Sequence, residues 1–100
     1  MARKVEWAES ALLHLSLIAE FIAQNSPAYA ALTVSRIFGR VEQAAEFPES
    51  GRAVPEYADS GLRELFWREY RMIYRVEEER ILVVAVVHGR RRLEDVLGAK

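Results

Sequence analysis

The sequence predicts an α+β domain: an N-terminal strand, an antiparallel helical hairpin, and a three-stranded antiparallel segment that completes a small sheet. Three observations carry this expectation. The apolar pattern alternates over residues 3–7, then takes a helical repeat from Ala8 onward. That repeat is interrupted once, at Asn25-Ser26-Pro27. From Leu62 strand-like stretches return, separated by polar residues and ending in the apolar run Ile81-Leu82-Val83-Val84-Ala85-Val86-Val87.

Each element has its own justification. Arg3-Lys4-Val5-Glu6-Trp7 alternates polar and apolar, as a short strand with one buried face does. Ala11, Leu15, Ile18 and Ile22 lie on one helical stripe, which predicts a helix to about residue 24. Leu13, Leu17 and Phe21 form a second stripe on nearly the opposite side. A helix apolar on two sides is expected to lie between a sheet and another helix; alternatively, the second stripe receives a partner's helix. Ser26 suits an N-cap and Pro27 the first helical position. Ala30, Val34, Ile37, Val41 and Ala44 then repeat one stripe, flanked by Phe38, to about residue 46. The short connection makes the two helices a hairpin.

Pro48, Gly51 and Pro55 mark a loop of roughly a dozen residues, long enough to be functional or mobile. Strands follow at residues 62–66, 69–76 and 81–88. Glu77-Glu78-Glu79-Arg80 is the polar turn between the last two. The final strand is β-branched and apolar on both faces, as a central strand is.

Length and composition limit the function classes. One hundred residues, 51% of them hydrophobic, suit a single domain over 1–100 with one core. No apolar run is long enough to span a bilayer, and the N-terminus has no signal-peptide pattern, so a cytoplasmic protein is expected. The chain has no cysteine, which removes a disulfide scaffold, a thiol nucleophile and thiolate metal sites. A net charge of −1 argues against a general nucleic-acid binder. The charge is unevenly distributed: residues 1–50 carry four Lys/Arg against six Asp/Glu, and residues 51–100 carry ten against nine. Twelve of the fourteen cations are arginine, whose planar fork matches carboxylates and phosphates.

The residues allow two candidate sites. In 70–76, Arg71, Ile73 and Arg75 share one strand face, opposite Tyr70, Met72, Tyr74 and Val76. The second set is the more apolar, so Arg71 is expected on the sheet face away from the helices. Arg63, Arg71 and the Arg90, Arg91 and Arg92 cluster could converge as an anion site for RNA phosphate or an acidic peptide. The plainer alternative pairs Arg63 and Arg71 with Glu64 and Glu69 in surface ion pairs, each contributing about 0–1 kcal/mol. The second candidate is His88 at the end of the last strand, a general acid–base candidate or a structural histidine. His14 is expected at the surface or between the helices. No metal-ligand spacing, Gly-rich phosphate loop or placed Ser-His-Asp triad is evident, so neither cofactor nor metal is expected.

The ordered set Val5-Glu6-Trp7, residues 15–23, Ser26-Pro27, Phe47-Pro48, Gly51-Arg52, Val54-Pro55-Glu56, Leu62-Arg63-Glu64, residues 70–76 and Val87-His88-Gly89-Arg90-Arg91 resembles the RelE/ParE superfamily of type II toxin–antitoxin toxins. The resemblance implies the helical hairpin on an antiparallel sheet. It also implies a cognate antitoxin whose helix lies against the hairpin, with Leu13, Leu17 and Phe21 as the candidate docking stripe, and an extended segment that could extend the sheet.

Two activities occur in that superfamily. RelE-like members are ribosome-dependent mRNA endoribonucleases; in such a reading Arg71, His88 and Arg90 would carry the chemistry. ParE-like members poison DNA gyrase without that catalytic set. No Tyr follows Tyr74, and residues 53–61 contain no Lys or Arg, so the RelE-like catalytic pattern is incomplete. Pro27, Gly51-Arg52 and Leu62-Arg63-Glu64 look ParE-like. The expectation is a non-enzymatic, ParE-like gyrase inhibitor, with Arg63, Arg71, Arg90, Arg91 and Arg92 facing the target or the antitoxin. Membrane contact and sequence-specific DNA binding by the toxin alone are not expected.

Overall fold

A five-stranded mixed sheet in the order β1-β5-β4-β3-β2 organises the molecule. The computed structural model describes residues 2–89 and 91–97. The strands are β1 (Lys4–Trp7), β2 (Arg52–Ala53), β3 (Leu62–Trp67), β4 (Tyr70–Val76) and β5 (Arg80–His88). Helices α1 (Glu9–Ala23) and α2 (Pro27–Glu46) cover one sheet face, and a short α3 (Leu93–Leu97) packs on the other. β1 pairs with β5 in parallel, while β5, β4, β3 and β2 are successively antiparallel. The expected topology is therefore present, and β5 is an interior strand flanked by β1 and β4.

The helix boundaries follow local chemistry. The Ser26 hydroxyl accepts a hydrogen bond from the Tyr29 backbone N–H at 3.0 Å, and Pro27 opens α2. Ala11 and Leu15 of α1 pack with Ile37, Val41 and Ala44 of α2 over Leu65, Tyr70, Met72, Tyr74, Ile81, Val83 and Val86 of the sheet. β4 divides its side chains as the alternation predicts. Tyr70, Met72 and Tyr74 enter this core, whereas Ile73 joins a second core on the far face with Val54, Leu62, Ala85, Val87 and Leu93.

Two expectations are corrected. The 47–61 segment is not a bare loop: it holds two 3-10 turns (Pro48–Ser50 and Pro55–Tyr57) and the short strand β2. Val54 and Tyr57 anchor it to the second core, so burial orders a stretch whose composition reads as irregular. The second stripe of α1 is not sandwiched: Leu13, Leu17 and Phe21 are 57%, 54% and 69% exposed. Neither sheet nor α2 reaches that side of α1.

Tyr74 ties the 47–61 segment to the sheet. Its hydroxyl donates to the Pro48 carbonyl at 2.7 Å and accepts from the Gly51 N–H at 3.1 Å. A Cβ on Gly51 would lie 2.5 Å from the Tyr74 hydroxyl and 2.7 Å from the Glu64 carbonyl oxygen. Gly51→Ala is therefore expected to destabilise the protein by about 1–3 kcal/mol, as overpacking does. Urea unfolding measures this directly, and an unchanged midpoint would mean that the segment yields without loss.

His14 lies neither between the helices nor simply on the surface. β1 reaches only to Val83 along β5, and a bulge follows at Val84, where the β4 register shifts. Two α1 side chains serve that uncovered edge: the Ser10 hydroxyl donates to the Val84 carbonyl, and His14 Nδ1 accepts from the Val86 N–H at 3.2 Å. Burial, assisted by the nearby Arg91 charge, lowers the His14 pKa and favours the neutral imidazole that this bond requires. These contacts occupy backbone groups that a bare edge would offer to another strand.

Candidate functional site: an ion network and two exposed surfaces

Strand register brings charge together on the far sheet face. Arg52 of β2 stands opposite Glu64 of β3, and Phe66 of β3 stands opposite Arg71 of β4, so all four share that face. Residues directly opposite in an antiparallel pair lie on one side, which explains why residues far apart in sequence meet here. Arg71 Nε donates to Glu64 Oε1 at 2.8 Å. Its two terminal nitrogens donate to the two Glu56 oxygens, each at 3.0 Å. Glu64 also accepts from Arg52.

Burial makes this network different from a surface ion pair. The Glu64 side chain is fully buried and that of Arg71 is 8% exposed, while Glu56 and Arg52 form the wetter rim. The Glu56 hydrogen bonds, together with those from Glu64, hold the Arg71 guanidinium above its ordinary pKa. The reciprocal bond from Arg71 holds the Glu56 carboxyl below the usual carboxylate value. Glu56 thus fills, from within the chain, the outward fork where a foreign anion would bind.

The proposed convergence of five guanidinium groups does not occur. Arg63 stands opposite Tyr74, on the helix-facing side of the sheet, and donates to the Gly51 carbonyl at 2.6 Å. Arg71 occupies the other side. The paired-arginine alternative holds for Arg71 with Glu64, but that pair is buried; Arg63 and Glu69 make no such ion pair among the described residues. Arg91 and Arg92 are exposed, and Arg92 pairs with Glu94 in α3. Arg90 lies outside the described residues.

His88 stands opposite Tyr70 in the β4–β5 register, and the two rings meet edge to face at 5.6 Å. Because Arg71 is the next residue along β4, His88 and Arg71 are on opposite sheet faces. The side-chain set named for RNA cleavage is therefore divided by the sheet.

The largest apolar exposure is on α1, where Leu12 joins Leu13, Leu17 and Phe21. Ala19 and Ala23 line the groove toward α2, together with Ala30, Ala31, Val34 and Ser35. Leu17 and Phe21 turn toward the opposite flank, the side of His14. Sequence reasoning missed Glu56 as the partner of Arg71, and also Arg68 at the β3–β4 turn. The proline flanking Glu56 signalled a turn but not its landing place; Arg68 carried no signal beyond its charge.

A family model for the ParE toxin of type II toxin–antitoxin systems, parDE, matches residues 5–93. The chain belongs to the ParE toxin family. Solved structures share the fold at low sequence identity. A chain of the chromosomal ParDE toxin–antitoxin system of P. aeruginosa is 18% identical, with a TM-score of 0.73 covering 87% of this chain and 96% of that one. A chain of the RelBE2 toxin–antitoxin complex of Mycobacterium tuberculosis is 19% identical, with a TM-score of 0.59 covering 88% and 99%. None of the curated proteins compared with the sequence matches it. The α+β architecture of this ParE-family toxin is thus shared with both structures. No helix among its described residues is long and apolar enough to cross a membrane.

Proposed function

We propose that this ParE-family toxin arrests growth in the cytoplasm by acting on DNA gyrase as a protein inhibitor rather than by cleaving mRNA, and that a cognate antitoxin neutralises it. The observation carrying this choice is the engagement of the Arg71 guanidinium by two carboxylates, Glu56 and Glu64. A ribonuclease reading needs that guanidinium for phosphate, yet Glu56 and Glu64 occupy its donors. A phosphate entering there would have to displace a bidentate carboxylate and meet the buried charge of Glu64. The placement of His88 on the other sheet face argues the same way.

The exposed Leu13, Leu17 and Phe21 stripe supports an antitoxin helix docked along α1, since a contiguous apolar surface rimmed by polar residues marks an interaction site. Among the described residues of the C-terminal segment, the exposed Arg91 is the cation without an ion pair and so the one able to meet an acidic partner, since Arg92 pairs with Glu94. The deciding experiment assays purified toxin against gyrase supercoiling and cleavage-complex formation, and in parallel against mRNA on programmed ribosomes. Gyrase inhibition without RNA cuts is the expected result. Ribosome-dependent cuts with gyrase unaffected would replace this reading.

A further inference from the structure

We infer that Arg68, stacked against Tyr29 and Trp67 at the tip of the β3–β4 hairpin, is the anchor by which this toxin grips a carboxylate on the protein it inhibits. The inference rests on the chain acting as a toxin against a protein target, and adds the point of contact. Trp67 and Tyr70 are paired, so Arg68 and Glu69 form a two-residue turn. Arg68 has φ of 54°, the left-handed region, and is the one non-glycine residue recorded with positive φ among the described residues. Glycine is the residue that enters this conformation without strain, and turns of this length usually place it there. Backbone strain retained in a tight turn is an observation from which a role for the side chain can be sought.

That side chain is held in a definite way. Its guanidinium carbon lies 4.9 Å from the Trp67 ring centroid and 6.0 Å from that of Tyr29 on α2. Stacking restrains the plane of the fork but leaves its N–H edge able to donate. Arg52, Arg71, Arg80 and Arg92 each have a carboxylate partner, whereas no carboxylate forms an ion pair with Arg68 among the described residues. The result is a preorganised fork with an unmet demand for a bidentate anion.

The surroundings favour a carboxylate on a protein over a nucleic-acid backbone. Tyr, Trp and Arg together are the composition of protein interface hot spots, and Phe66 adds partly exposed apolar surface at the same sheet end. A phosphate backbone instead calls for a row of unmatched cations. Here the neighbouring Arg52 and Arg71 are already matched by Glu56 and Glu64. This surface is also distinct from the α1 stripe: Tyr29 belongs to α2, and Leu17 and Phe21 face the flank of α1 away from α2. A helix docked on that stripe would leave the Arg68 fork in place.

The test compares wild type, Arg68→Gly and Arg68→Lys. Arg68→Gly removes the fork and relieves the positive φ, so it should melt no lower than wild type. It should nevertheless need at least tenfold more protein for equal gyrase inhibition, and should no longer arrest growth of cells lacking the antitoxin. Arg68→Lys keeps the charge without the planar fork, and should retain the fold with reduced potency. Undiminished potency of either variant at matched expression would overturn the anchor. So would binding of a fluorescent single-stranded RNA by wild type that Arg68→Gly abolishes, because the fork would then serve phosphate. Wild type that arrests growth but spares gyrase would remove the gyrase reading alone; the growth ratio between wild type and Arg68→Gly would still judge the anchor.

Discussion

Replacing Glu64 by alanine is expected to destabilise the fold by about 3–5 kcal/mol, the usual consequence of removing one partner from a buried ion pair. Glu64 is fully buried and meets both Arg71 and Arg52. Its loss would leave the buried Arg71 charge with the rim residue Glu56 alone, and would open a void between β2 and β4. Arg52 matters less, because its side chain is 62% exposed and water replaces the lost partner. The double substitution Glu64→Leu with Arg71→Met is the informative control. Exchanging a buried pair for apolar side chains of similar volume is often neutral or stabilising, so it should recover most of the loss. Urea unfolding of the two variants separates electrostatic penalty from packing. A Glu64→Ala shift below about 1 kcal/mol would mean that water screens the network and that its burial has little energetic weight.

Truncating Leu17 and Phe21 together to alanine should weaken binding of the cognate antitoxin by about 100-fold or more while the toxin stays folded. Two apolar anchors of about 2 kcal/mol each make such a loss reasonable at about 1.4 kcal/mol per decade. Stability should move little, because both side chains are more than half exposed and leave no cavity. Isothermal titration against the antitoxin, with circular dichroism as the folding control, measures both quantities. Unchanged affinity would place the antitoxin helix elsewhere on the toxin. Loss of the folded signal would mean that the stripe supports the hairpin despite its exposure.

Much of the architecture was legible because its causes are local. Ser26 and Pro27 specify the start of α2 through a side-chain cap and a residue that lacks the N–H a helix start leaves unused. The alternation in 70–76 separates Ile73 from Tyr70, Met72 and Tyr74 because successive strand side chains point to opposite faces. The second stripe on α1 was equally readable, but whether it was covered was not. Coverage depends on where α2 and the sheet end.

The candidate site was less legible, since its members are joined by register rather than by sequence spacing. Glu56 reaches Arg71 only because Val54 and Tyr57 seat the 47–61 segment on the second core. Arg63 and Arg71 looked like one cluster in the sequence, yet the pairing of β3 with β4 puts them on opposite faces. The C-terminal α3 escaped notice because the arginine-rich residues before it dominate the composition there. Leu93, Val96 and Leu97 do carry a short helical spacing, which marks the face that packs.

By itself, then, the sequence determined the order of β1, α1, α2 and the three strands β3–β5, the main apolar stripes, the arginine-rich second half and the likeness to a toxin superfamily. Periodicity and capping act over a few residues, so one-dimensional pattern is enough for them. Only the tertiary structure decided which charges are spent within the chain and which face outward. Arg71, one of the arginines expected in an anion site, is neutralised by two carboxylates, while Arg68 is left presenting its fork at a hairpin tip. Electrostatic pairing weakens with distance and strengthens with burial, and both are properties of the folded packing rather than of the order of residues.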